Sequence, residues 1–230
     1  MPAGPDVIDL GRLGYAAAHD VQKQHHAEVL AAREAGSPDA SRLLLVEHDP
    51  VITVTRRAAA AGHVLASAER LAELGIERVE TDRGGDVTYH GPGQVVCYPI
   101  LDLKHYGFRI HDYMRFLEQA VIDAIAEWGL HGVRDPEATG VWVETPRGLA
   151  KLCAMGVRIR RWVSLHGLAL NVATDLSHFN EIVPCGLAGR PVTSLCELLG
   201  DSGPTVELAK RAISDRLVGA LGVSDSAEPE

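Results

Sequence analysis

The sequence predicts an α+β fold: a single domain with a mixed β-sheet flanked by helices. Strand-like runs come in clusters, helical stretches are scattered between them, and no repeat or linker divides the chain. A length of 230 residues suits one large domain or two small ones, and the missing linker favours one unit over 1–230. Its ordered core is expected at about 8–222, with a short polar tail at 224–230 expected to be disordered. Apolar residues at 46% supply a core of that size without disulfide staples.

Each element has its own signal. Residues 15–35 read as a helix, with Ala18, Val21, His25 and Val29 at helical spacing. A loop follows over 34–41. Runs 43–47 and 51–55 read as strands split by His48, Asp49 and Pro50. An Ala-rich stretch leads to a short helix near 67–74. The stretch 83–92 holds three glycines and a proline, so it turns, and a strand follows at 95–100. Met114, Leu117, Val121, Ile125 and Trp128 mark the clearest amphipathic helix, with Gly129 as its stop. Runs 140–143, 149–159 and 163–173 read as three successive strands. In the last, alternation places His166, Leu168, Leu170 and Val172 on one face, and Leu165, Gly167, Ala169 and Asn171 on the other. A final helix starts after Pro204, capped by Thr205, and buries Val206, Ala209, Ile213 and Leu217.

Charge and composition exclude several classes. With 22 Lys+Arg against 31 Asp+Glu the net charge is −9, which argues against a protein that coats nucleic acid or an anionic membrane. No run approaches the ~18 consecutive apolar residues of a membrane span. The first ten residues lack the basic and apolar regions of a secretory signal, so a reduced, cytoplasmic setting is expected. Cys97, Cys153, Cys185 and Cys196 form no CxxC pair. In a reduced setting each is a small buried hydrophobe or a nucleophile, and Cys153 and Cys196 read as packing. His25 and His26 lack a third ligand in view, so no metal site and no cofactor are expected.

Glycine is concentrated in segments that also carry polar residues. Within 83–94, Gly84 and Gly85 permit close backbone approach, and Gly91-Pro92-Gly93 forms a sharp turn. Neither a P-loop nor a dinucleotide fingerprint is present. Lys151 and Cys185 are 34 residues apart, so only the fold can unite them. A free thiol is only a few per cent thiolate at neutral pH and needs a base or a cation to act as nucleophile. Lys151 suits either role. Equally, Lys151 reads as a surface lysine and Cys185 as buried filler.

Taken together, these blocks resemble the lipoyl(octanoyl) transferase family, the octanoyl-[acyl-carrier-protein]:protein N-octanoyltransferases. The chain reads RGGDVTYHGPGQ at 83–94, KLCAMGVRI at 151–159, HGLALN at 166–171, PCG at 184–186 and TSL at 193–195, in the family order. The resemblance spans about 8–222. One departure is Thr55, where the family usually has glycine. The resemblance implies the mixed-sheet fold of biotin and lipoate protein ligases. It implies that Cys185 is the nucleophile that becomes an acyl thioester, and that Lys151 lowers its pKa and shuttles protons. It implies an acyl pocket walled by Arg83, Gly84, Gly85, Asp86, Val87, Thr88, Tyr89 and His90, by Ala154, Met155 and Gly156, and by Gly167, Leu168 and Ala169.

The implied reaction moves an octanoyl or lipoyl group from acyl carrier protein to a lysine of apo lipoyl domains. The acceptors would be the E2 subunits of 2-oxoacid dehydrogenases and the glycine cleavage H protein. Transfer between thioesters and then to an amide needs no ATP, and backbone amides of Cys185 and Gly186 are the expected oxyanion donors. Small residues at Gly156, Gly167 and Ala169 would leave a narrow slot, in which Gly167→Leu is expected to block long acyl groups. An acidic carrier calls for a local basic patch, either Arg158, Arg160 and Arg161 or Arg56 and Arg57. A monomer is expected. The alternative is an ATP-dependent lipoate or biotin-type ligase of the same fold. An acyl-carrier-binding protein without activity and a cysteine hydrolase are further rivals.

Overall fold

The computed structural model describes residues 4–186 and 189–222, without the side chain of Cys185; the tail at 224–230 lies outside the described residues. Among the described residues ten strands, β1 to β10, form two sheets: a large one of seven strands ordered β1-β2-β6-β10-β9-β8-β7, and a small one ordered β4-β3-β5. In chain order the large sheet uses Asp6–Leu13 (β1), Arg42–His48 (β2), Gln94–Ile100 (β6), Val133–Asp135 (β7), Ala138–Thr145 (β8), Gly148–Arg160 (β9) and Val163–Asn171 (β10). The small sheet uses Val51–Thr55 (β3), Glu77–Thr81 (β4) and Thr88–His90 (β5). Only β1/β2 and β3/β4 pair in parallel; the other pairs are antiparallel, so the mixed-sheet reading holds.

Helices cover both faces of the large sheet. On one face Ile110–Ala126 (α3) and Val206–Gly222 (α5) pack with Leu43, Val95, Leu168 and Leu170. On the other, Tyr15–Glu34 (α1) packs with Leu44, Val96, Tyr98 and Ala169. The short helices Ala68–Glu73 (α2) and Leu195–Leu199 (α4) start at Ser67 and Ser194, whose side chains accept from the N–H three residues on. Because both faces are covered, every residue of β10 is buried. The small sheet has its own core, in which Ile52, Leu71, Val87, Tyr89 and Phe179 meet.

Three strands escaped the sequence reading: β1, β4 and β7. β1 is an edge strand whose residues are exposed or half-buried, β4 is a polar edge strand, and β7 has three residues, so none shows a run of buried β-formers. Two helix faces are rotated by one residue. α1 buries Tyr15, Ala18, Gln22, His26 and Val29; His25 instead pairs with Glu28. α3 starts four residues before Met114 and buries Tyr113 rather than Met114. α5 buries Ala209, Ile213 and Leu217 as expected but leaves Val206 half-buried, and the Leu208 amide donates to Thr205. The β10 alternation fails at His166. Its left-handed φ of 58° turns the side chain toward His19 on α1 and away from the face of Leu168 and Leu170.

Candidate active site

A cavity opens where the small sheet roofs the α1 face of the large one. Strand β9 contributes Ala154, Met155 and Gly156, and β10 contributes Gly167, Leu168 and Ala169. From the 83–90 segment come Arg83, Gly85, Asp86, Thr88 and His90. Gly84, Val87 and Tyr89 do not line it. Val87 and Tyr89 are buried in the small-sheet core, where the Tyr89 hydroxyl meets His178 Nδ1 at 2.8 Å and burial pushes the phenol up to about 12. The walls also include Tyr15, Val96, Tyr98 and His166, of which only His166 lies in a noted motif. Period-two facing along β6 would have selected Val96 and Tyr98; no local signal marks Tyr15.

The glycine segment is clasped to both sheets. Arg83 donates to the Thr53 carbonyl and hydroxyl at 3.3 and 3.0 Å. The Gly84 amide donates to the Val157 carbonyl at 2.9 Å. A Cβ on Gly156 would stand 2.6 Å from the Gly84 carbonyl oxygen, so this approach of loop to strand requires glycine. Thr55, the departure from the family pattern, donates its hydroxyl to the Gly85 carbonyl at 3.2 Å and fastens the same loop.

At Gly167 a Cβ would lie 2.2 Å from the Cys97 carbonyl oxygen. Gly167→Leu would therefore break the β10/β6 pairing rather than narrow the slot, which corrects the expectation attached to it.

The cavity histidines are neutral. Burial pushes His90 down to about 3, so its Nδ1 donates to Gln94 Oε1 at 2.7 Å. Gln94 donates to Asn171 Oδ1, and Asn171 donates to the Thr193 carbonyl. This chain of hydrogen bonds runs from the cavity to the segment after the PCG turn. His166, also pushed to about 3 by burial and nearby cations, meets Asp82 Oδ1 at 2.9 Å. His19, Asp82 and His166 present ligand atoms within 4.8 Å of one another. Arg158 is paired with the other Asp82 oxygen, which satisfies the carboxylate without an ion.

Lys151 sits at a bulge. Val141 pairs with Cys153 but Trp142 pairs with Lys151, so Leu152 is the extra residue. Released from β8, the Lys151 amide donates to the Pro191 carbonyl, and its carbonyl accepts from Thr193 N–H. The segment 191–193 thus runs beside β9 as a one-bridge strand. The Lys151 side chain is buried, at 6% exposure. Its Nζ donates to the Thr139 carbonyl at 3.2 Å and lies 4.7 Å from the centre of the Trp142 ring. Arg190, paired with Asp135, lies 4.0 Å from the same ring.

A second, small cavity of about 260 Å³ is lined by both Lys151 and Pro184 of the PCG turn. It shares Thr88 and Ala154 with the larger cavity. The fold therefore brings together the lysine, the turn that carries Cys185 and the apolar slot. Pro184–Gly186 forms one 3-10 turn, in which the Gly186 amide donates to the Val183 carbonyl. That amide is already used, which corrects its assignment as an oxyanion donor. Cys97 and Cys153 are buried, and burial pushes both thiols up, Cys153 to about 12, so both stay protonated packing groups. Cys196 is exposed rather than packed.

Of the basic patches, Arg161 pairs with Glu34, Arg158 with Asp82 and Arg56 with Glu80. Arg57 is exposed and borders a cavity of about 890 Å³ that reaches Lys151.

The chain is thus an α+β frame of two mixed sheets, in which a buried lysine and a cysteine-bearing turn border one cavity. Residues 20–218 match the lipoyl protein ligase A/B catalytic domain, and the chain belongs to that family. It is 47% identical over 206 residues to the octanoyltransferase of Chloroflexus aurantiacus, covering 89% of each chain. It is 49% identical over 192 residues to that of Solibacter usitatus, covering 82% of this chain and 81% of the other. The fold resembles a bi-partite lipoate protein ligase of Thermoplasma acidophilum (TM-score 0.71, 17% identity, 95% and 84% covered). It also resembles the biotin protein ligase of Aquifex aeolicus (TM-score 0.52, 11% identity, 97% and 72% covered). Among the described residues no helix is long and apolar enough to cross a membrane.

Proposed function

We propose that this protein is an octanoyltransferase that takes an octanoyl group from acyl carrier protein and places it on a lysine of apo lipoyl domains. The acceptors are the E2 subunits of 2-oxoacid dehydrogenases and the glycine cleavage H protein. The observation that carries this reading is the shared border of Lys151, Pro184 and the apolar slot through Thr88 and Ala154. Relatives at 41–49% identity carry the name octanoyltransferase.

In the first half-reaction the Cys185 thiolate attacks the donor thioester, the new C–S bond forms, and the carrier's sulfur leaves as a thiolate. The acyl chain lies in the slot, where burial contributes ~0.8 kcal/mol per methylene. The Lys151 ammonium stabilises the thiolate through charge pairing. Its Nζ is positioned by the Thr139 carbonyl and the Trp142 face. In the second half-reaction the acceptor lysine attacks the acyl-enzyme, an amide forms and Cys185 leaves. Splitting the transfer this way lets two protein partners use one site in turn. The enzyme acts as a monomer in the cytoplasm, where the thiol stays reduced, and requires neither ATP nor metal.

Intact mass spectrometry tests this. Mixed with octanoyl-acyl carrier protein and no ATP, the enzyme is expected to gain one octanoyl group and lose it to an apo lipoyl domain. Cys185→Ala is expected to gain none. An adduct retained by Cys185→Ala, or transfer that appears only with ATP, would replace this reading with the ligase one.

A further inference from the structure

His63 and Asp86 form a pair beside the PCG turn that neither half-reaction above uses. His63 Nδ1 meets Asp86 Oδ1 at 2.8 Å, and the Val87 amide donates to the same oxygen at 2.7 Å. A carboxylate oxygen holding a backbone donor is an acceptor, so the imidazole proton resides on Nδ1 and Nε2 carries the free lone pair. Nε2 has no hydrogen-bond partner among the described residues.

The ring is fixed against the turn. The Val183 amide donates to the His63 carbonyl at 2.7 Å. A Cβ built on Gly186 would lie 3.2 Å from His63 Cε1 and 3.3 Å from Asp86 Oδ2. The imidazole therefore packs against Gly186, the residue after Cys185. Asp86 also lines the acyl cavity. The His63 side chain keeps 28% of its surface exposed, enough for an incoming group to reach it.

We propose that His63, oriented by Asp86, is the base that takes the proton from the acceptor lysine in the second half-reaction. The proposal rests on the transfer reading above. The acceptor amine nitrogen attacks the thioester carbon, the C–N bond forms and the C–S bond breaks. The electron pair leaves with Cys185 as thiolate beside Lys151. The proton shed by nitrogen goes to His63 Nε2, and the imidazolium returns it to solvent. The first half-reaction exchanges one thiolate for another and calls for no such base, so His63 should separate the two halves.

The test is single-turnover mass spectrometry of each half. In His63→Gln, octanoyl-Cys185 is expected to form within about three-fold of the wild-type rate, while its transfer to an apo lipoyl domain slows about 100-fold, the size of a general-base effect. Asp86→Asn is expected to slow transfer about ten-fold, as a lost orienting partner. In His63→Ala, added imidazole is expected to restore transfer in proportion to its concentration. Equal slowing of both halves, without imidazole rescue, would make the pair a structural pin and overturn the proposal. Wild-type transfer rates in His63→Gln would overturn it as well. If His63→Gln and His63→Ala fail to fold, His63→Asn under the same two single-turnover readouts decides. A wild-type enzyme that never acquires the octanoyl group would instead overturn the transfer reading itself.

Discussion

Chain-length selectivity can be set by one alanine. Ala169 lies on β10 between Asn171, beside the Lys151 cavity, and Gly167, at the far wall. The span from 171 to 167 is four residues, about 13 Å of strand, and Ala169 is at its midpoint. Its Cβ lines the slot, and unlike Gly167 it already carries a side chain there. Ala169→Leu adds three carbons. They displace about three methylenes of a bound octanoyl chain, at ~0.8 kcal/mol each, so the loss is about 2.4 kcal/mol, or roughly sixty-fold. A butyryl chain ends before that point and should lose less than about three-fold. The assay is acylation of the enzyme by a series of acyl-carrier thioesters from four to eight carbons, read as kcat/KM. Thermal unfolding runs in parallel, because overpacking a core costs about 1–3 kcal/mol. Equal loss for butyryl and octanoyl donors in a folded variant would refute the placement of the chain.

Two further outcomes follow from charges. His48, His90 and His166 have folded pKa values of about 4, 3 and 3, below the usual 6.5, because burial disfavours their charged forms. Below pH 6.5 the unfolded chain takes up protons that the folded chain refuses. Stability is therefore full above 6.5 and falls as pH drops toward 4, by up to about 1.4 kcal/mol per unit for each histidine. Urea unfolding at pH 7 and pH 5 should show that decline, and a flat profile would contradict the buried neutral histidines. For carrier docking, Arg57 borders the cavity that reaches Lys151, whereas Arg160 lies nine strand residues from Lys151, about 30 Å. Arg57→Glu should raise the KM for the acyl-carrier donor about ten-fold and flatten its salt dependence, while Arg160→Glu changes it less than about two-fold. The reverse ranking would move docking to the β9–β10 hairpin.

Much of this was legible in the chain, for identifiable reasons. The strands β2, β3, β6, β8, β9 and β10 are runs of buried, β-prone residues, and their burial on the sheet is what their composition encodes. Edge strands β1 and β4 are held by backbone pairing with a neighbour, and side chains carry little of that information. The larger cavity combines motif residues, visible as glycine-rich blocks, with Tyr15, Val96 and Tyr98, which reach it through the crossing of α1 over β6. Asp86 lies in the glycine-rich block, but His63, 23 residues before it, lies in no motif, so only the fold reveals their pairing. His166 was misplaced because strand alternation assumes negative φ throughout, and its backbone is left-handed.

The segment after the PCG turn is tied to Lys151 through main-chain atoms: the Pro191 carbonyl, the Thr193 amide and the Lys151 carbonyl. Such bonds are blind to side-chain identity but strict about spacing. Length is therefore fixed more strictly than composition in this stretch, with Arg190, held by Asp135 and the Trp142 ring, as the exception. A single insertion or deletion there would slide the PCG turn against Lys151. In a saturation library the segment should tolerate changes of length hardly at all, and replacement at Arg190 less than at its neighbours.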